Sequence, residues 1–286
     1  MITDKRSSED ETLPSQAKKA KLEPEKYVIR KAFVLVIINE KFEDENIQDR
    51  KGAKVDKENI KKFCEGADFH VNEFSALKLD DTSLGTDDLE ADEIKKIFKV
   101  ISKGDFSFYD AFMCFTSSHG TSDGIVGVDG DLVTFTSLIN CLTKCASLKG
   151  KPKLFFAQNC RGTLKKDFGI ELKTRARETD DKTMTDYVKD VHHTVTIPAE
   201  ADVLTAYSSV DGYESYRDPI EGSWFISNLT SVLTEHVNDM QLTDMLAMVS
   251  EKVARLKHHK GWKQMPCYTS TLRRSVVFAT TDGQSK

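Results

Sequence analysis

The fold of this chain is decided by the stretch Leu154-Phe155-Phe156-Ala157-Gln158-Asn159-Cys160-Arg161-Gly162. Its first four residues form an apolar run bounded by turn signals, which predicts a buried strand. Cys160 follows the end of that strand, so we expect it to emerge from the core beside free backbone N–H groups. A lone cysteine in such a place is usually an inert core residue. Only a reactive environment would mark it as functional.

A second apolar run upstream supplies a partner for this cysteine. Residues 111–115 predict another strand, and Thr116-Ser117-Ser118-His119-Gly120 follows it. The carboxyl ends of parallel strands meet at one edge of an open α/β sheet, where ligands bind. The pattern therefore predicts a base, His119, and a nucleophile, Cys160, at the same edge. Ser117 and Ser118 are weaker nucleophile candidates, because adjacent strand side chains point to opposite faces.

Strand and helix patterns alternate along the chain. They predict an α/β fold whose mostly parallel central sheet is covered by helices on both faces. Order is expected to begin at Ala32, with a central strand that is apolar on both faces. The other predicted elements are strands near 69–77, 203–207 and, as the last strand, 266–270, a hairpin at 124–130, and helices near 55–63, 89–101, 134–145, 223–236 and 241–257.

The composition is that of an ordinary globular protein. Of the 286 residues, 39% are hydrophobic and 30% charged, which is typical of a soluble domain. The net charge of −5 argues against nucleic-acid partners and against docking on anionic membranes. The sequence predicts neither a membrane-spanning segment nor a signal peptide.

The cysteines indicate a reduced compartment and no metal site. Six are scattered through the chain, mostly among apolar residues, which is typical of an intracellular protein. Cys141 and Cys145 could share a helix face, but no further His or Cys pair lies near them to complete a zinc site. We therefore expect no metal and no cofactor.

Two polar segments stand apart from the predicted core. Residues 1–26 contain no aromatic side chain and are expected to be disordered. Within them, the run 18–21 is either a nuclear signal or a solvated charge cluster, and the second reading is favoured. Residues 163–195 are also polar, and a segment of that length is either functional or disordered.

Several collinear motifs resemble the caspase family from Phe33 to the C-terminus. A cysteine pentapeptide with an upstream histidine is a known mark of that family, and here His119 precedes Cys160 by 41 residues. Asn159 departs from the usual alanine but leaves the nucleophile intact. The other shared motifs lie at 150–156, 197–202, 206–208 and 222–225.

The resemblance implies a cysteine endopeptidase mechanism. Cys160 would be the nucleophile and His119 the proton shuttle. The backbone N–H groups of Gly120 and Cys160 would hold the oxyanion. In the family a backbone carbonyl orients the histidine, and by position it would belong to Gln48.

The resemblance also implies specificity for aspartate at P1. An isolated arginine usually lies on the surface, but Arg50 and Arg217 match the family's S1 pocket together with Gln158. Their guanidinium groups would hold a carboxylate through charge-assisted bonds. Ser215 lies next to this pair, in the run Ser215-Tyr216-Arg217 that corresponds to the family's usual Ser-Trp-Arg. Three residues bear on the neighbouring subsites: Tyr216 replaces the usual tryptophan, Glu214 stands where executioner members carry an aromatic S2 residue, and Trp262 is the only large aromatic between 253 and 266.

By resemblance the chain is a short-prodomain zymogen acting in apoptosis. Residues 1–26 would be the prodomain, 27–180 the large subunit and 191–286 the small subunit. Flexible loops are where proteolysis concentrates, so self-cleavage or an upstream protease would cut 163–195 after Asp180, Asp181, Asp186 or Asp190. Large and small subunits would form a homodimer through the last strand. The expected partners are protein substrates with aspartate at P1, in the cytoplasm, with nuclear entry left open.

A second interpretation comes from a different class of protein. The chain would then be a non-catalytic caspase-like regulator that dimerises with an active relative. Degenerate members of the family lose the cysteine, the histidine or an S1 arginine, and this chain keeps all of them. An unpaired charge in a pocket is costly, so the retained arginines favour the enzyme.

Overall fold

The computed structural model describes residues 25–72, 85–162, 198 and 200–280. Its main sheet has six strands, in the order β11-β8-β7-β4-β2-β3, and only β11 runs antiparallel to its neighbour. These strands are β2 (Ala32–Ile38), β3 (His70–Val71), β4 (Ala111–Ser117), β7 (Lys153–Gln158), β8 (Val203–Tyr207) and β11 (Cys267–Ser270).

Helices cover both faces of this sheet, as predicted. They are α1 (Ala53–Gly66), α2 (Ala91–Ile101), α3 (Phe135–Lys144), α4 (Trp224–His236) and α5 (Leu242–Arg255). Every residue of β2 is buried. Its side chains alternate, so that Val34 and Val36 pack towards α1, α4 and α5 while Phe33 and Leu35 pack towards α2 and α3. A strand buried on both faces reads as a continuous apolar run, which is why the sequence identified it.

The register of the central strands brings the two predicted site segments together. In the parallel ladder Ile38 pairs with Ser117, and Ser117 pairs with Gln158. β4 and β7 therefore end level with one another, and His119 and Cys160 each lie two residues beyond that end. The expected juxtaposition at one sheet edge is confirmed.

The expected beginning and end of the ordered chain were wrong. A short strand β1 (Lys26–Ile29) precedes Ala32 and pairs in parallel with β12 (Ser275–Phe278). Order therefore begins before Ala32 and includes Lys26, and the strand at 266–270 is not the last one. Four-residue strands are too short for a clear periodic signal. Their buried residues, among them Ile29 and Phe278, join the core beside α5.

The remaining predicted elements agree with the structure where it describes them. The hairpin is β5 (Gly124–Val126) with β6 (Leu132–Thr134), and a small hairpin joins β9 (Arg217–Asp218) to β10 (Gly222–Ser223). The predicted strand near 69–77 lies partly outside the described residues. The run 18–21 and the whole segment 163–195 lie outside them. Among the described helices, none has the length and apolar character needed to cross a bilayer.

Candidate active site

His119 is held by a backbone carbonyl of a distant loop. Its Nε2 lies 2.8 Å from the carbonyl oxygen of Gln48. A carbonyl oxygen only accepts, so Nε2 carries a proton and Nδ1 is the basic atom of the neutral ring. Phe42 packs on the imidazole at 4.9 Å between ring centroids. Burial, with smaller contributions from Arg50 and Arg217, holds the pKa of His119 below its usual value, against the Gln48 bond.

Cys160 lies in a segment that contacts the loop after β8. The N–H of Arg161 donates to the carbonyl of Tyr213, and the N–H of Gly212 donates to the carbonyl of Arg161, each at 3.0 Å. A Cβ atom on Gly162 would lie 2.2 Å from the carbonyl oxygen of Gly212. Glycine is therefore required here by the close approach of two backbones.

The structure brings most of the predicted site residues into one pocket. Cys160 and His119 line it together with Arg50, Ser118, Gln158, Asn159, Ser215, Tyr216 and Arg217. Glu214 and Trp262 do not line it. Asp180, Asp181, Asp186 and Asp190 lie outside the described residues.

Two backbone donors at this pocket have no acceptor among the described residues. Within the described part of the chain, the N–H groups of Gly120 and Cys160 donate to no protein acceptor. Gly120 leads into the β5–β6 hairpin, and Cys160 follows β7. Such donors are suited to an oxygen atom that becomes negatively charged during a reaction.

Arg50 is buried and fixed by two hydrogen bonds. Its side chain is 2% exposed. Nη1 donates to the carbonyl of Asn39 at 2.8 Å and Nη2 to the hydroxyl of Ser117 at 3.0 Å. Burial, followed by the nearby charge of Arg217, lowers the pKa of Arg50 to about 9. The guanidinium therefore keeps its charge at neutral pH.

Asp56 is a site residue that the sequence analysis missed. It is fully buried on α1 and accepts from the hydroxyl of Ser117 at 3.0 Å. It also accepts from the backbone N–H and hydroxyl of Ser223, at 2.7 and 3.0 Å. Burial holds the pKa of Asp56 above its usual value, and these hydrogen bonds and Arg50 offset that effect only in part. A signal was present, because Asp56 shares the i, i+4, i+7 face of Ile60 and Phe63.

Arg217 lies in the part of the chain that follows residues 163–195, the segment called the linker from here on. Its Nε donates to the backbone carbonyl of Lys51 at 2.9 Å. Burial lowers the pKa of this half-buried side chain, and the charges of nearby acidic groups, Asp56 first, oppose it. Close by, the Oε1 atom of Gln158 is buried and accepts from no described group. Two cations and one amide therefore surround the pocket that contains Cys160.

The serines next to His119 are occupied by structural hydrogen bonds. Ser117 bridges Arg50 and Asp56. The hydroxyl of Ser118 donates to the carbonyl of Val126 at 2.6 Å. Ser215 donates to the carbonyl of Asn159 at 2.7 Å and thereby supports the backbone next to Cys160.

A row of stacked rings lies beside the pocket. Tyr216 contacts Trp224, His258 and Trp262, with centroids 5.1, 5.2 and 6.3 Å away. The rings of His258 and Trp262 are nearly parallel at 4.9 Å. Sequence reasoning identified Trp262 but missed His258, because the turn that stacks them, from His258 to Gly261, has no periodic pattern. Burial, then His259 and Lys260, lowers the pKa of His258, and the charge of Glu214 opposes them.

Comparisons with known proteins identify relatives of this chain. The family model described as "Caspase domain" matches residues 31–277. Caspase-6 of Gallus gallus is 32% identical over 241 residues, which cover 81% of this chain and 75% of that protein. Caspase-3 of Mesocricetus auratus is 36% identical over 258 residues, covering 86% and 83%. Caspase-7 of Gallus gallus is 32% identical over 254 residues, covering 85% and 76%.

Proposed function

The chain belongs to the caspase family, and from this premise we propose that it is a cysteine endopeptidase that cleaves proteins after aspartate. One observation carries the proposal. Arg50 and Arg217 line the same pocket as His119 and Cys160. The two guanidinium groups place like charges at one pocket, and an aspartate side chain of a substrate would supply the negative charge that pairs with both.

Cys160 and His119 divide the chemical work. Nδ1 of His119 takes the thiol proton while Sγ of Cys160 bonds to the scissile carbonyl carbon. The C–N bond then breaks, and His119 passes the proton to the leaving amine. Water next attacks the thioester with His119 as base, which releases the carboxylic acid and restores the thiol. The Gln48 carbonyl keeps the imidazole in the required tautomer.

The backbone stabilises the charge that develops during attack. The N–H groups of Gly120 and Cys160, which have no described protein acceptor, would donate to the oxyanion. Each such donor is worth roughly 3 to 4 kcal/mol of transition-state stabilisation. This oxygen needs no proton, because its charge returns to the carbonyl double bond when the C–N bond breaks.

The pocket selects for a carboxylate. The guanidinium of Arg50 is already fixed by Asn39 and Ser117, so little freedom is lost when it binds substrate. Each charge-assisted bond contributes about 1.5 to 3 kcal/mol. An uncharged P1 side chain would offer Arg50 and Arg217 no negative charge to pair with, which is costly in a buried site.

Activation would follow cleavage within 163–195, after Asp180, Asp181, Asp186 or Asp190. The chains 27–180 and 191–286 would stay together, because contacts across the cut build the site. β7 pairs with β8, and the N–H of Ser223 donates to Asp56 at 2.7 Å. The proposed role is in apoptosis, in the cytoplasm, with an upstream protease as one route of activation.

The active unit would be a homodimer of large and small subunit pairs. β11 is the edge strand of the sheet, and Tyr268 on it is 42% exposed. An exposed edge strand invites pairing with another chain. A two-fold axis close to Cys267 and Tyr268 would satisfy it.

Hydrolysis of fluorogenic tetrapeptides by the purified protein tests the proposal. The wild type should hydrolyse peptides with aspartate at P1, and Cys160→Ser should lose this activity without unfolding. Cys141→Ser, on the half-exposed face of α3, is the matched control and should keep it. A well-folded, dimeric wild type without activity on any peptide would favour the non-catalytic regulator.

A further inference from the structure

Asn159 is fully enclosed next to the nucleophile, yet the proposed mechanism gives it no task. It is 1% exposed and stands where the family usually has alanine. Its backbone is held by two residues that follow the linker in the sequence: the carbonyl accepts from the hydroxyls of Ser208 and Ser215 at 2.8 and 2.7 Å. The side chain bonds to other residues than these two serines.

The amide nitrogen of this side chain faces three backbone carbonyls. Nδ2 lies 3.0 Å from the oxygen of Thr121, 2.8 Å from that of Cys160 and 3.5 Å from that of Gly124. Carbonyl oxygens cannot donate, so the nitrogen, not Oδ1, must face them. Oδ1 is buried and bonds to no group in the described part of the chain. The side chain therefore acts through its N–H donors alone.

The same side chain packs against Gly120, one of the two proposed oxyanion donors. A Cβ atom on Gly120 would lie 2.7 Å from Nδ2 and 3.0 Å from Cβ of Asn159. The loop that contains Gly120 has its own hydrogen bonds, from Thr121 to Gly124 and from Val126 to His119. Asn159 joins that loop to the segment of Cys160.

We propose that Asn159 is a positioning residue that sets the distance between the backbone N–H group of Gly120 and the backbone N–H group of Cys160. The inference rests on the proposed function, since it assumes that both groups act on one carbonyl. An alanine here would have no donor to bridge the two segments. The bridge matters more in the transition state than in the bound substrate, because only the transition state places full charge on the oxygen.

Two variants separate hydrogen bonding from packing. Asn159→Ala removes the donors and most of the side chain, whereas Asn159→Asp keeps the volume and replaces the donor by an oxygen facing carbonyls. In both, kcat on a P1 aspartate peptide should fall roughly tenfold to hundredfold, the range that a misplaced group of about 1 Å costs. KM should change by less than about threefold, because the S1 contacts are untouched.

A peptide aldehyde ending in the aspartate analogue gives an independent readout. The thiol of Cys160 adds to the aldehyde carbon, and the former carbonyl oxygen takes the place of the oxyanion. Aldehyde affinity should fall by the same factor as kcat/KM in both variants. Affinity for the product peptide with a free C-terminal aspartate should stay within about threefold, because a planar carboxylate does not reproduce the tetrahedral oxyanion.

Asn238→Ala is the matched control, since Asn238 also makes side-chain hydrogen bonds, to Thr280, at the far end of α4. It should leave kcat unchanged. Should Asn159→Ala unfold at the assay temperature, as its melting curve would reveal, the isosteric Asn159→Asp decides the question. Wild-type kcat and aldehyde affinity in a folded variant would overturn the inference, and so would a loss confined to KM. An inactive wild type would instead count against the proposed function.

Discussion

The Nε–H of Arg217 donates a hydrogen bond of 2.9 Å to the backbone carbonyl of Lys51, the residue next to Arg50. Gly52 follows with φ of 88°, and a Cβ atom there would lie 2.8 Å from the carbonyl oxygen of Asp218. The two arginines of the proposed S1 pocket are therefore held by backbone contacts between segments on opposite sides of the linker.

Because both arginines are fixed in this way, binding of a P1 aspartate should depend on their planar guanidinium groups and not only on their charge. In Arg50→Lys and Arg217→Lys the charge is kept but the planar fork is lost. Each change should lower kcat/KM for P1 aspartate peptides by roughly tenfold to hundredfold, as expected for one charge-assisted bond. Arg255→Lys on α5, whose partner is the exposed Glu251, should stay within twofold. Steady-state kinetics on one peptide series measures these changes. Equal kcat/KM values for Arg50→Lys, Arg217→Lys and Arg255→Lys would contradict the assigned pocket.

The lowered pKa of His119 predicts the acid limb of the activity profile. The residue must be neutral to accept the thiol proton, and it gains a proton as the pH falls through its pKa. Burial, aided by the two arginines, places that pKa below the usual value of about 6.5. The midpoint of the acid limb of kcat/KM should therefore lie below about pH 6.5. Initial rates between about pH 5 and 8, with melting curves at each pH, measure it, and a midpoint above the ordinary value would contradict the assignment.

Asp56 should support the S1 pocket mainly through its charge. Asp56→Asn keeps the shape but leaves Arg50 without its buried anion, so the free energy of unfolding should fall by about 3 kcal/mol. A bound aspartyl ligand would supply a negative charge and should raise the melting temperature of Asp56→Asn more than that of the wild type.

Asp92→Asn is the control for this change. Asp92 is exposed on α2 beside Lys95, so its loss should cost no more than about 1 kcal/mol. Denaturant unfolding measures the free energy of unfolding of each variant. Melting curves with and without the aspartyl ligand measure the shift that the ligand causes. Equal stability of Asp56→Asn and wild type would show that Arg50 does not need this counter-charge.

Self-cleavage of the linker is the fourth expectation. Protein matured to full activity should yield two chains that copurify, with a new C-terminus at Asp180, Asp181, Asp186 or Asp190. Intact-mass spectrometry identifies the terminus, and protein carrying Cys160→Ser should stay uncut. Full activity in protein with an unbroken 163–195 segment would refute this route of activation.

The sequence was most informative where structure is encoded locally. The apolar runs of β2, β4 and β7 and the residues that end them predicted the sheet, its covering helices and the meeting of His119 with Cys160. These signals lie within a few residues of each strand end. The hydrogen bond from the imidazole of His119 to Gln48 was inferred from the family resemblance, not from the residues alone.

What sequence reasoning missed depends on distant contacts. Asp56 and Ser223 are 167 positions apart and meet only because α1 packs on α4. The pairing of β1 with β12 joins the two ends of the described chain, and neither strand has a pattern of its own. Asn159 was noted as a departure, but its bonds to Thr121 and Gly124 depend on the path of the hairpin loop.

The central claim, a cysteine peptidase whose S1 pocket requires a carboxylate, is tested most directly by one ratio. It compares kcat/KM of the wild type for two peptides that differ only in aspartate or asparagine at P1. The account predicts a ratio on the order of 10⁴ in favour of aspartate, because Arg50, Arg217 and Gln158 would face a neutral amide without a charged partner. A ratio near one in an enzyme that Cys160→Ser inactivates would contradict it.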